Sequence, residues 1–536
     1  MALQIVKKLS QWLLAKSSAQ QVYQFTSRLI GLVYIIAIFP LFFQIKGLIG
    51  ANGLQPAHQL LSSAYSTEGL GAFLRFPSLF WLYPSDWILY LLVSGGVAGG
   101  MLLMVNKFAF FGSLLSWVCF VSISVVGGDF LVIIIDLFLA EAGFLLVLLH
   151  WGKWIKGYVP RIAHVGFLFL NFRLWFSMGM VKFYFPGSTW TDFTFFENFF
   201  PFQPMPTPLA FVFWKFPHWT HAVGEFWLLI SQLVFPFFVW GGKKMRVLAF
   251  LSFLTTSVLI MLCGNYGYFN ILSIVVALPL LPDSIFSRQL VIPTTNNGNS
   301  LPNVFHQNIF LTVASIPLVM QVIYTIALFD PKPPGYQNHF NQVFLYKRFE
   351  AMPFSVFTAI FKPFVYVRAC NPYGVFKSIP RFRIELRLLG SIDGKHWETY
   401  RFKYVPSANT QSLKFFAPYY PRLDHLLFYE SLDAGGYNFN LLNPYYTRNN
   451  VWTNRFLTLL FENDKELTKL LALNPFAGKQ APLYIQCEAH TLRFSPTGTM
   501  SSAWEGELLW VLFTVTPNEV PHTPLLPASF IYSKFE

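Results

Sequence analysis

Five ionisable residues interrupt the most apolar stretches of this sequence, and they are its first candidates for chemistry. They are Asp136, Glu141, Arg173, Lys182 and Glu225. A charged side chain near the middle of a hydrophobic helix costs roughly 2.5–3.5 kcal/mol on membrane-insertion scales. Such side chains therefore pair with one another inside a helix bundle or serve a function there.

The spacing of these residues predicts two ion pairs. Glu141 and Arg173 fall near the middle of consecutive apolar segments that run in opposite directions, so they share a depth. Asp136 and Lys182 lie toward the same end of those segments, and a lysine side chain can cover the depth of ~7 Å between them. For Glu141 and Arg173 we favour a pair that only fixes helix packing, because the two charges neutralise each other, and a functional role stays open as the alternative. Two interpretations of Lys182 stay open: it is a structural partner, or it is a functional base.

The most distinctive stretch is the loop MVKFYFPGSTWTDFTFFENFFPFQPMPTP at 180–208. Its density of aromatic residues alone is typical of a belt at the membrane interface. Trp190, Asp192 and Glu197, together with four prolines, favour a stiff re-entrant or lid segment instead. We expect these three residues to belong to a site on the outer membrane face.

A tight turn, CGNYGYFN at 263–270, is expected at the same membrane face. It contributes Asn265, Tyr266 and Asn270 to the predicted outer site. A carboxamide is expensive in lipid unless it is hydrogen-bonded, so these side chains should have partners or a ligand.

The composition explains why these polar groups are so few. The chain has 536 residues, of which 54% are apolar and 12% are charged, and its mean hydropathy is +0.46. Soluble proteins carry about 25% charged residues, so lipid must solvate part of this chain. The net charge is +13, but the basic residues fall between apolar runs, where they mark topology and contact anionic lipid. This pattern argues against nucleic-acid binding.

A window of ~20 residues predicts about nine transmembrane helices. Basic residues precede the first span (Lys7, Lys8, Lys16) and follow the fourth and the sixth. The positive-inside rule then predicts a cytoplasmic N-terminus and, after an odd number of spans, a non-cytoplasmic C-terminus. The predicted spans lie near 25–45, 86–105, 108–127, 129–150, 163–184, 222–241, 245–263, 267–282 and 307–329.

The predicted fold class is an α-helical multi-pass membrane domain followed by a soluble, β-sandwich-like α+β domain. Residues 1–24 are expected to form an amphipathic cytoplasmic segment, and 25–329 the transmembrane domain with its aromatic outer loop at 185–221. A Pro/Gly linker at 330–339 leads to the non-cytoplasmic domain at 340–536.

Within the C-terminal domain, the alternation at 381–394 and 397–405 predicts strands, and 451–473 is predicted to be helical. Two of the four cysteines, Cys370 and Cys487, lie in this part of the chain. In an oxidising compartment they could form a disulfide.

Several segments resemble the lipase maturation factor family, in matching order along nearly the whole chain. In the membrane part they are FQIKGLIGANGLQPA (43–57), FRLWFSMGMVKFYFPGSTWTDFT (172–194), QPMPTPLAFVFWKFPHWTH (203–221) and CGNYGYFNILS (263–273); in the tail they are DGKHWETYRFKYVP (393–406), FFAPYYPRLDH (415–425) and LLALNPF (470–476).

This resemblance implies a folding factor of the endoplasmic reticulum membrane whose luminal C-terminal domain contacts a secreted client, a lipase in the best-known cases. It implies a client-binding strip at Pro421, Arg422, Leu423 and Asp424, although the family's PRLDW reads PRLDH here. No GxSxG motif marks a lipase active site. We expect neither a cofactor nor a metal; membrane lipids and the client are the expected partners.

Two other functions remain open. GMVKFYFPGSTW also resembles a segment of the vitamin K-dependent γ-carboxylases and their bacterial relatives, which would make Lys182 a catalytic base. Buried charges are also found in transporters, but no internal repeat supports that function. The tail contains no N-x-[ST] acceptor and no KDEL-type ending. We therefore expect a bacterial inner-membrane protein with its C-terminal domain in the periplasm.

Overall fold

The computed structural model of the protein describes residues 2–106, 108–183, 189–286, 304–329, 355–376, 379, 383–407, 413–435 and 451–520. The predicted linker at 330–339 lies outside these residues.

Most of the described chain is helical. In chain order the α-helices are α1 Ala2–Leu14, α2 Gln21–Ile38, α3 Ile45–Ile49, α4 Ala57–Glu68, α5 Gly71–Arg75, α6 Asp86–Val105, α7 Ala109–Val126, α8 Ile134–Lys156, α9 Arg161–Met180, α10 Phe195–Phe202, α11 Pro208–Trp214, α12 His218–Leu233, α13 Phe235–Phe238, α14 Lys243–Cys263, α15 Phe269–Ala277, α16 Val304–Ala327, α17 Ser355–Tyr366, α18 Arg422–Gly435, α19 Val451–Phe461 and α20 Lys465–Leu470.

Seven helices among the described residues are long and apolar enough to cross a membrane, against the nine predicted. The other two predicted spans are α9 and α15. Helix α9 has 20 residues, but Asn171 and Arg173, both buried, lower its hydropathy. The apolar helix that begins with α15, Phe269–Leu280, is too short to span a bilayer as a helix, because its 12 residues extend only about 18 Å.

The bundle is packed tightly where small residues allow it. Helix α6 packs against α2 and α7. A Cβ atom at Gly31 would lie 2.7 Å from the carbonyl oxygen of Gly100, so these two glycines let α2 and α6 approach closely. Small residues at helix crossings serve the same purpose in other membrane bundles, where van der Waals packing drives association.

Contacts at the two ends of the bundle define two faces. At one face, Lys16 pairs with Pro160, and Lys156 donates a hydrogen bond to Gln307. There the Asp283 carboxylate accepts hydrogen bonds from the first backbone amides of α2, between 2.7 and 3.0 Å, which satisfies a helix start. The C-terminal region packs on the opposite face, which we call the outer face.

The C-terminal region contains two sheets. The larger is antiparallel with the order β2-β1-β5-β6, and β7 also pairs with β5; the smaller joins β3 to β4. The strand predicted at 381–394 is present as β1. The segment 397–405 forms two short strands in different sheets, and 451–473 is helical except for β4. The strands are β1 Arg383–Ser391, β2 Glu398–Thr399, β3 Arg401–Phe402, β4 Leu471–Leu473, β5 Tyr484–Phe494, β6 Trp504–Glu505 and β7 Leu508–Val515.

All four cysteines are free and buried, so Cys370 and Cys487, which could have formed a disulfide in an oxidising compartment, are not paired. Cys370 packs against Met320 and Phe361 at the side of the helix bundle. Cys487 lies within β5 and belongs to a different cluster. The two thiols are held in separate parts of the fold.

Candidate functional site

Three of the predicted polar residues of the bundle, Asp136, Glu141 and Arg173, contact the C-terminal region at the outer face. We call this contact the outer joint and define it by Asp136, Glu141, Gln44 and Asn265 of the bundle and by the C-terminal segments that bind them.

The Glu141–Arg173 ion pair grips a backbone segment of the C-terminal region. Arg173 donates one hydrogen bond to Glu141 and another to the carbonyl oxygen of Asn371. Glu141 Oε2 accepts from the backbone N–H of Asn371 at 2.8 Å and from the Tyr373 hydroxyl at 2.8 Å. All of these side chains are buried. The predicted pair is present, and both of its members also hold Asn371.

Asp136 holds a second point of the C-terminal region. Arg422 Nη2 donates to Asp136 Oδ1 at 2.8 Å, and Arg422 Nη1 donates to Oδ2. The Tyr268 hydroxyl, from the turn before α15, donates to the same carboxylate at 2.7 Å. The prediction that Asp136 pairs with Lys182 is therefore wrong. Its partner is Arg422, and no spacing pattern in the sequence relates the segment of Arg422 to α8.

Lys182 has other partners. A single 3₁₀ turn follows α9, and from it Lys182 Nζ donates to the Met178 carbonyl and to Gln232 Oε1 of α12, each at 2.7 Å. The Lys182 Nζ atom lies 4.5 Å from the centre of the Trp190 ring. This side chain is almost completely buried. Its contacts join the end of α9 to α12 and to the outer loop.

Glu225 is buried on α12, apart from the other two acids. Its Oε2 accepts from the backbone N–H of Phe195 at 3.2 Å, at the start of α10. Among the described residues, the predicted polar network thus divides into separate contacts of Asp136, Glu141 and Glu225.

The aromatic outer loop is folded against the C-terminal sheet. Trp190 stacks on Phe195 with ring centres 3.6 Å apart and donates to the carbonyl oxygen of Phe376 at 2.9 Å. The loop shares a buried cluster with Phe494 and Trp504. The part of the loop that the structure describes from Thr189 onward is folded, and its aromatic rings contact one another and the C-terminal sheet.

The two acids of this loop lie at the surface. Asp192 is exposed, and its carboxylate accepts from the Thr194 backbone N–H at 3.1 Å. Glu197 pairs with His218 at the start of α12, where both side chains are at least one-third exposed. Both contacts are local.

The turn at 263–270 is a connector. Asn265 Oδ1 accepts from the backbone N–H groups of Phe416 and Ala417 at 2.9 and 3.0 Å, and its Nδ2 donates to the carbonyl of Lys414 at 2.8 Å. The Tyr266 hydroxyl donates to Gln203 at 3.0 Å. Asn270 is buried as well. The carboxamide of Asn265 therefore joins the bundle to the C-terminal region.

The strip Pro421–Asp424, which the resemblance implies as a client-binding strip, is buried in this structure. Gln44 Oε1 accepts from the Arg422 backbone N–H at 2.9 Å, and Gln44 Nε2 donates to the Tyr420 carbonyl at 3.2 Å. Gly267 has a φ of +55°, and a Cβ there would lie 2.8 Å from the Tyr420 ring. The strip therefore docks onto the bundle.

The sequence did not indicate several residues of the outer joint. Asn371 and Tyr373 follow no periodic pattern. Arg383 lies in the predicted strand, but its alternation did not indicate that the side chain binds carbonyl groups of the outer loop, including that of Pro204 at 3.0 Å. Gln44 could have been identified from the sequence, because it lies in the segment 43–57 that carries the family resemblance.

A shallow pocket with a cavity volume of about 20 Å³ opens to solvent at the rim of the outer joint. Aromatic rings and two lysines face it, and both lysines are exposed. This rim pocket combines apolar contact area with positive charge. Its lining residues are Pro206, Lys403, Tyr404, Pro406, Leu413, Lys414, Phe416 and Trp504.

Two family models match the chain. The model of the lipase maturation factor transmembrane domain matches residues 21–288, and that of the lipase maturation factor C-terminal domain matches residues 369–511. Lipase maturation factor 1 of Bos taurus is 25% identical over 550 residues, which cover 92% of this chain and 87% of the relative. Lipase maturation factor 2 of Mus musculus is 25% identical over 591 residues, covering 90% and 81%. No solved structure matches the chain.

Proposed function

Because the chain belongs to the lipase maturation factor family, we propose that it is a membrane-embedded maturation factor that assists the folding and assembly of secreted proteins. The names of its relatives, lipase maturation factors 1 and 2, indicate lipases as the client class. Those names do not support the alternative, a carboxylase with Lys182 as its base, and the buried contacts of Lys182 do not favour it either.

The observation that carries this proposal is the double attachment of the C-terminal region to one helix. Asp136 and Glu141, both on α8, bind Arg422 and Asn371. A buried pair loses its compensation when one partner leaves, which strongly disfavours detachment. The C-terminal region is therefore a fixed platform on the outer face. A client that is bound without covalent chemistry requires such a platform.

The client would meet this platform at the rim pocket. Tyr404, Phe416 and Trp504 offer aromatic contact area, and Lys403 and Lys414 offer charge for an acidic segment. Tyr and Trp are enriched at binding hot spots. The buried strip at Pro421–Asp424 cannot take this role while it remains docked.

Co-expression tests the proposal. A secreted lipase would be expressed in cells that lack their own maturation factor, with this protein or a variant, and lipase activity would be measured per unit of secreted lipase. We expect Lys414→Glu to reduce this specific activity. Lys395→Glu, in an exposed turn away from the pocket, is the matched control. Equal activity with both variants at equal protein levels would remove the rim pocket from the proposal.

For localisation, we propose a bacterial inner membrane with the C-terminal region in the periplasm. The basic residues at the N-terminal end of the bundle support this orientation. A cysteine introduced at Lys395 should react with a membrane-impermeant maleimide in spheroplasts that are still intact. Reaction only after lysis would place the region in the cytoplasm and contradict the proposed function.

A further inference from the structure

The first outer loop carries an apolar surface that the described protein leaves uncovered. Five large side chains between residues 69 and 87 are more than half exposed. They are Leu70 at 78%, Leu74 at 54%, Leu82 at 80%, Tyr83 at 66% and Trp87 at 64%. Soluble surfaces rarely gather such residues in one short segment, and an exposed apolar patch of this kind marks an interaction site.

Charge is nearly missing from this segment. Arg75 and Asp86 are the only charged residues between Gly69 and Trp87; Arg75 pairs with Glu68, and Asp86 accepts a hydrogen bond from the backbone N–H of Ala51 at 2.7 Å. The Arg75 side chain is itself only 14% exposed. A loop surrounded by water would normally present charged side chains, whereas a loop in contact with lipid avoids them.

Hydrogen bonds place the segment below the outer end of α7. The Ser78 hydroxyl donates to the Ser122 carbonyl at 2.9 Å, and the backbone N–H of Leu79 donates to the Ser122 hydroxyl at 3.1 Å. Ser122 precedes Val126, the last residue of α7, by four positions, or about 6 Å along the helix axis. The segment therefore lies at the depth where a span enters the bilayer.

The apolar surface continues onto a transmembrane helix. Trp87 lies in the first turn of α6, and Leu91, one turn further along, is 52% exposed. Trp and Tyr at the end of a span are typical of the membrane interface, where Tyr83 and Trp87 would lie. Lipid that covers Leu91 would cover Trp87 and Leu82 next to it.

We propose that residues 69–87 form an interfacial anchor that inserts into the outer leaflet of the phospholipid bilayer. The segment can do so because its backbone is folded: α5 and a 3₁₀ helix at Leu79–Leu82 satisfy much of it, and Trp81 donates its indole N–H to the Phe76 carbonyl at 2.8 Å. Polar groups that are already hydrogen-bonded within the segment lower the free-energy cost of its entry into the headgroup boundary.

The anchor lies beside the outer joint. The same loop begins with α3, where Lys46 binds Glu466 of α20 at 3.2 Å. A Cβ atom at Gly47 would meet Leu470 at 2.9 Å, so α3 and α20 are closely packed. Insertion of the anchor would therefore set the height of the C-terminal region above the lipid.

Spin-label accessibility tests this proposal on the full chain in phospholipid vesicles. A label on Leu82→Cys would be compared with one on Leu91→Cys, which faces lipid, and one on Lys395→Cys, which faces water. The four native cysteines are buried and should remain unlabelled. We expect the ratio of oxygen to nickel-chelate collisions at Leu82 to resemble that at Leu91 and to exceed that at Lys395 severalfold.

Two results would overturn the proposal. Nickel accessibility at Leu82 equal to that at Lys395 would show a water-facing loop. Low accessibility to both reagents would show that protein, such as a second copy, covers the surface. If Leu82→Cys does not purify as a folded protein, Leu70→Cys on the same segment takes its place, with the same expected ratio.

Discussion

Arg422 binds Asp136 through both terminal nitrogens of its guanidinium group, although 285 residues separate the two along the chain. Both side chains are almost completely buried. The pair connects the first turn of α18 to the outer end of α8. It makes the C-terminal region part of the same folded unit as the bundle.

Removing Arg422 should destabilise the protein strongly. We expect Arg422→Met to lower the free energy of unfolding by about 3–5 kcal/mol, because Asp136 is left as an unpaired buried charge. Denaturant unfolding in detergent would measure this loss. The double variant Asp136→Asn with Arg422→Met should regain part of it. Lys469→Met, at an exposed pair with Glu466, should cost at most about 1 kcal/mol; equal losses for both single variants would contradict this account.

The contacts of Asn371 predict an order of effects at the second attachment point. Glu141→Gln should cost more than Asn371→Ala, because it leaves Arg173 without its counter-charge. Asn371→Ala keeps both backbone hydrogen bonds and loses only those of the side chain, worth about 1 kcal/mol each. The same unfolding measurement compares the two. A larger loss for Asn371→Ala would show that the side chain dominates the contact.

Replacing Lys182 separates the two functional hypotheses. Lys182→Met keeps most of the side-chain length and removes a buried amino group that donates to two neutral acceptors. We expect lipase maturation in the co-expression assay to be retained. Loss of maturation in both Lys182→Met and Lys182→Ala, with normal protein levels, would revive the role of Lys182 as a base.

Asp424 should make stability depend on pH. Burial raises the pKa of this carboxyl from 3.8 to about 6, although the Tyr404 backbone N–H donates to it. The folded state then binds the proton more tightly than the unfolded state, so this contribution to stability is complete below pH 3.8 and is lost as the pH rises through about 6. Unfolding measured across that range should show a decrease that Asp424→Asn lacks. An identical profile for the variant would assign the dependence to another group.

The buried thiols should be unreactive in the folded protein. We expect maleimide to label none of the four cysteines under native conditions and all four after denaturation, with or without prior reduction. Mass spectrometry would count the labels. A denatured protein that gains two labels only after reduction would show a disulfide.

The sequence by itself determined the membrane class, the approximate span pattern and the family. These depend on runs of apolar residues and on short motifs, which are local along the chain. The Glu141–Arg173 pair was also within reach, because consecutive antiparallel helices relate residues of equal depth. The strand at 381–394 followed from its alternation.

Only the tertiary structure decided which groups meet at the outer joint. Asp136 pairs with Arg422 and not with the predicted Lys182, and Asn371 binds the Glu141–Arg173 pair as a third partner. No periodic pattern relates a span to a segment more than 200 residues away. Burial is likewise a property of the whole fold: the strip at Pro421–Asp424 is polar enough to face a client, but it becomes internal once the C-terminal region docks on the bundle.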